Sequence, residues 1–94
     1  MSLETPTAAG IEAWTPAEIA LRPAVAKDII WGLVEHPDPD AVRVAYLAQL
    51  AHDRDAVNRR LRELRHAHGW GDARTTGPEL ELSSIRAEIR RFTP

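Results

Sequence analysis

The residues with the most chemistry to offer in this chain are arginines and one asparagine at helical spacing. In the run Asp53-Arg-Asp-Ala-Val-Asn-Arg-Arg-Leu-Arg-Glu-Leu-Arg65, Val57, Leu61 and Leu64 recur at i, i+4 and i+7, which builds one apolar stripe. Asp55, Arg59, Arg62 and His66 fall on the opposite side, flanked by Asn58 and Glu63. A guanidinium fork makes paired hydrogen bonds to phosphate or to a guanine edge, and an Asn amide matches adenine. A helix that buries one side and turns Arg and Asn outward suits the major groove of DNA. The same pattern also describes an ordinary solvated helix face. Asp53 is the expected N-cap, because its carboxylate can accept from the unpaired amides of the first turn.

Other groups with chemical capacity are poorly placed to use it. His66 and His68, at i and i+2, point to different faces of a helix, so one helix cannot aim both at a single ion. No metal site is expected. Glu35, Asp38 and Asp40 flank prolines in an exposed turn with no apolar pocket to raise a pKa, so capping is their expected role. There is no Gly-rich phosphate loop and no nucleophile motif. Enzymatic activity is not expected, and neither is a cofactor.

The elements that must position the arginines follow from local signals. Pro6, Thr7 and Gly10 mark a flexible N-terminal arm over residues 1–13, leaving 14–94 as one domain. Thr15 with Pro16 opens a short helix. Val25, Ile29, Ile30, Leu33 and Val34 keep helical spacing from Ala24 to Glu35, where His36-Pro37 ends the segment. Asp38 and Pro39 then cap and open a further helix, or Ala41 to Val44 are extended before a shorter one. His52-Asp53 reads as a tight joint into the Arg-rich helix, which Gly69 terminates. Beyond Trp70 the periodicity allows two readings. Leu80 and Leu82 alternate with Glu79 and Glu81 as in a strand, whereas Leu82, Ile85, Ile89 and Phe92 fit a helix. The tail is read as a short β-hairpin with Gly77-Pro78 at its tip, followed by a C-terminal helix.

The run from His36 to Ala51 followed by Asp53 to Arg65 resembles the helix-turn-helix core of bacterial winged-helix proteins. Leu47-Ala-Gln-Leu50 looks like the phrase that ends the family's small helix, and Arg54 to Leu64 looks like its recognition helix. Leu64-Arg-His-Ala-His-Gly-Trp70 is similar to modules found beside restriction endonuclease domains, where a wing follows. The resemblance covers about residues 24 to 70. Ala51-His52 stand where the pattern has a glycine, and Asp55 lies where phosphates would approach, or a cytosine amino group. The resemblance implies a mainly α fold, a small helix-turn-helix bundle with a short hairpin wing and a C-terminal helix. It implies binding of double-stranded DNA as a transcriptional regulator or as the targeting module of a larger protein. Arg54, Asn58, Arg59 and Arg62 would then face DNA, with Arg74, Thr75 and Thr76 as wing contacts to the backbone.

Composition is consistent with this and with one alternative. The 94 residues carry a net charge of −2, unevenly spread. Residues 1–53 hold three cations against eight acids, and residues 54–94 hold nine arginines against six acids. Cysteine is absent, which excludes disulfides and thiolate sites and fits a reducing compartment, and no apolar run reaches membrane-spanning length. A cytoplasmic protein is expected. The alternative is a helical docking or adaptor module, a homodimer or the companion of another protein, with Trp14, Trp31 and Phe92 at its interface.

Overall fold

A computed structural model describes residues 13–94. Four α-helices make up most of it: α1 (Pro16–Ala20), α2 (Pro23–Ile30), α3 (Pro39–His68) and α4 (Thr76–Phe92), with a single 3-10 turn at Ala73–Thr75 before α4. The mainly α expectation holds. The predicted arm lies almost wholly outside the described residues. Contacts divide the chain between Gln49 and Leu50 into two compact units, so α3 contributes to both.

In the first unit the predicted start of α1 is realised in full. The Glu18 N–H donates to Thr15 Oγ1 (3.2 Å) and the Thr15 N–H donates to Glu18 Oε1 (2.9 Å), a reciprocal cap with Pro16 at the first helical position. Helix α2 is shorter than expected. It stops at Ile30, because Gly32 takes φ +79° and its N–H donates to the Ile29 carbonyl (3.1 Å) while that of Leu33 donates to Asp28 (2.8 Å). Those two bonds close the helix with a left-handed glycine, which a residue with a Cβ adopts only under strain. Asp38 does cap the next helix, accepting from the Ala41 N–H (3.1 Å) with Pro39 following.

Two expectations are corrected in α3 and beyond it. The joint at His52-Asp53 does not exist: α3 runs unbroken for 30 residues, and Asp53 is a mid-helix residue instead of an N-cap. No glycine or proline lies between Ala41 and His68 to stop it. The hairpin wing is also absent, since no strand occurs among the described residues and Leu80 and Leu82 are helical. Gly77 and Pro78 sit in the first turn of α4, where proline's missing N–H costs no hydrogen bond. The C-terminal helix is as expected. Gly69, with φ +83°, ends α3 as predicted.

Two carboxylates at these helix starts are held below their ordinary pKa. The Thr15 backbone N–H does most for Glu18, followed by the Thr15 hydroxyl and Arg22. Asp72 accepts from the Arg74 N–H (2.9 Å), its largest cause, with the Arg74 and His68 charges adding to it. A lowered folded pKa means that their stabilisation is complete above the unfolded value of roughly 4 and fades as pH falls through the folded value. Helical circular dichroism should therefore decline on acidification below about pH 4. In Glu18→Gln/Asp72→Asn that decline should be shallower. An identical acid profile in the variant would show that these caps carry none of it.

Candidate nucleic-acid interface

The second unit is a hairpin of two antiparallel helices, the C-terminal part of α3 and α4, joined by residues 69–75. Its register is legible from its contacts. Arg65 Nη2 lies 3.0 Å from Glu79 Oε2, Arg60 Nη2 lies 3.3 Å from Glu81 Oε1, and Val57, Leu61 and Leu82 form a buried cluster with Ile85 packed on it. Moving back along α3 from Arg65 to Arg60 moves forward along α4 from Glu79 to Glu81, as antiparallel helices require. Val57 and Leu61 of the predicted stripe meet α4, whereas Leu64 is half-buried outside that cluster.

Beside that seam the helices leave an open groove. Arg54 and Asn58 from α3 face Arg86, Ile89 and Arg90 from α4 around a cavity of about 410 Å³. A neighbouring cavity of about 390 Å³ continues toward the loop end, where Arg65, Glu79 and Ser83 join Arg86 and Arg90. The spacing explains the convergence. Arg54, Asn58, Leu61 and Arg65 follow i, i+4, i+7, i+11 along one flank of α3, and Leu82, Arg86 and Ile89 do the same on α4.

The charges in this groove are not all compensated. Arg54 pairs with Asp55 (3.2 Å) and Arg65 with Glu79 (3.0 Å). Arg86 and Arg90 have no acidic partner among the described residues; the acid of their own helix turn, Glu88, pairs with Arg91 (3.6 Å). Two like charges one helical turn apart repel each other unless an anion lies between them. The groove thus presents guanidinium donors and an amide toward a space that a phosphate oxygen fits.

The predicted site residues fare unequally. Arg54 and Asn58 are brought together in the groove, whereas Arg62 is exposed and is not among the residues that line it. Arg59 is exposed but turned about 140° round the helix from Arg54. Arg74 is spent on Asp72 (3.1 Å) in the loop. Thr75 is not on the surface: it is 2% exposed, and its hydroxyl donates to the Asp72 carbonyl (2.8 Å) and lies 3.2 Å from Glu79 Oε1. Phe92 is likewise buried, at 4% exposure, and offers no surface to a partner. Trp14 is half-buried under the Arg22 guanidinium (4.5 Å to the ring centroid), whereas Trp31 is half exposed in the first unit. Sequence reasoning missed Arg65, Arg86 and Arg90. The signal was the i, i+4 pair Arg86/Arg90, which carries meaning only once the tail is known to be helical.

No protein-family model matches the chain, and no curated protein or solved structure matches it significantly. Among the described residues no group of three His, Asp or Glu is placed to hold a metal ion, and no helix is long and apolar enough to cross a membrane.

Proposed function

We propose that this chain binds nucleic acid, DNA in the first instance, by its phosphate backbone along the arginine groove of the second unit. One observation carries the reading: Arg86 and Arg90, without acidic partners among the described residues, face Arg54 and Asn58 across an open groove. This differs from a recognition helix reading bases, since α3 is one continuous helix. Phosphate contacts fix position and carry no sequence information, so the role is targeting more than site recognition. It suits a module that brings a larger protein or a partner to nucleic acid.

The test is anisotropy of labelled DNA titrated at roughly 50 and 200 mM salt, with wild type and Arg86→Ala/Arg90→Ala. Neutralised phosphates release counterions, so the double variant should weaken binding and reduce the salt slope by about 2. Arg59→Ala, outside the groove, should leave both nearly unchanged. Absence of binding at the lower salt sinks the proposal.

A second reading, a helical docking module, is favoured by the exposure of Leu33 (72%) beside Trp31 in the first unit. It predicts self-association in sedimentation experiments that Leu33→Asp abolishes. A concentration-independent monomer would remove its homodimeric form.

A further inference from the structure

Trp70 is the most exposed large apolar side chain of the second unit, at 80%. It follows Gly69 in the loop that joins the helices, and the Arg65 guanidinium lies over its ring, 4.0 Å from the centroid. Arg65 is itself fixed by Glu79 (3.0 Å) and lines the groove with Arg86 and Arg90. One face of the indole is thereby covered by a cation that belongs to the groove, and the rest of the ring is open. Glu79 keeps that cation from swinging away, so the ring is held at the loop end of the row of arginines.

We infer that the occupant of the groove is a single strand, with its phosphates on Arg54, Arg86 and Arg90 and one base stacked on the open face of Trp70. The inference rests on the groove binding nucleic acid. A cationic track ending in an exposed aromatic is what an unpaired strand needs, because every unpaired base has a π-face to stack and every linkage a phosphate to neutralise. A duplex buries its base faces against one another and leaves Trp70 unused.

The experiment compares an oligothymidylate of about 15 nucleotides with a random duplex of equal length, using wild type, Trp70→Ala, Trp70→Phe and Arg86→Ala/Arg90→Ala. Anisotropy gives affinity, and Trp14→Phe/Trp31→Phe isolates the Trp70 emission. Stacking predicts quenching of Trp70 by the oligothymidylate, an affinity about tenfold lower in Trp70→Ala, and near-complete rescue by Trp70→Phe. Duplex binding should be weaker and indifferent to position 70. If Trp70→Ala binds the oligothymidylate like wild type while the double arginine variant does not, the single-strand inference is overturned and the groove reading stands. If neither nucleic acid binds the wild type, both fall.

Discussion

Leu61→Ala should destabilise the second unit by about 3 to 4 kcal/mol. Leu61 is 2% exposed in the buried apolar cluster of the hairpin, against Val57 and Leu82 with Ile85 alongside. Truncation removes the transfer free energy of its side-chain carbons and leaves a cavity that two helices joined at one end close only in part. The flanking ion pairs cannot make up the difference. Arg60–Glu81 is about half exposed on both sides, and such pairs contribute about 0 to 1 kcal/mol. For a domain whose total stability is roughly 5 to 15 kcal/mol, this loss is a large fraction of the whole. Urea denaturation followed by circular dichroism measures it. The variant should also lose nucleic-acid affinity, because Arg54 and Asn58 face Arg86 and Arg90 only while the seam is closed. A loss below about 1 kcal/mol would mean that the hairpin is not held by this cluster.

His52→Pro should cost about 3 kcal/mol or more, and it bears directly on the continuity of α3. Within an α-helix the amide of residue 52 donates to the carbonyl of residue 48, and proline both deletes that donor and crowds the carbonyl. His52 is exposed, so no packing loss confuses the result. At a helix-turn-helix joint the outcome would be opposite: proline is tolerated in a turn or at a helix start. His52→Ala supplies the control, near neutral in an exposed helical position. If His52→Pro melts like His52→Ala, α3 is broken at this point and the helix-turn-helix reading returns.

The resemblance to winged-helix proteins led away from what the residues said locally. The run from Ala41 to His68 holds no glycine or proline, and Ala51 stands at the expected turn. Asp53 is a good cap residue inside a continuous helix, and such a residue marks a helix start only where the preceding turn is already broken. Conversely, Gly32 is a helix stop that the apolar spacing of Leu33 and Val34 hid. Those two side chains continue the helical period without continuing the helix.

Features that depend on near neighbours are legible in the residues alone. The Thr15 and Asp38 caps, the Gly69 stop, the apolar stripe of Val57 and Leu61 and the excess of arginine after residue 53 are all local, and each is found as read. For residues 79–92 the choice between strand and helix depends on packing against α3. Alternating Leu and Glu fit either period, and the choice went to the form that sets Leu82 and Ile85 against Leu61. That choice also made the groove. Arg86 and Arg90 lie 32 residues or more beyond Arg54, and nothing in the spacing of one helix records which flank of it a second helix will cover.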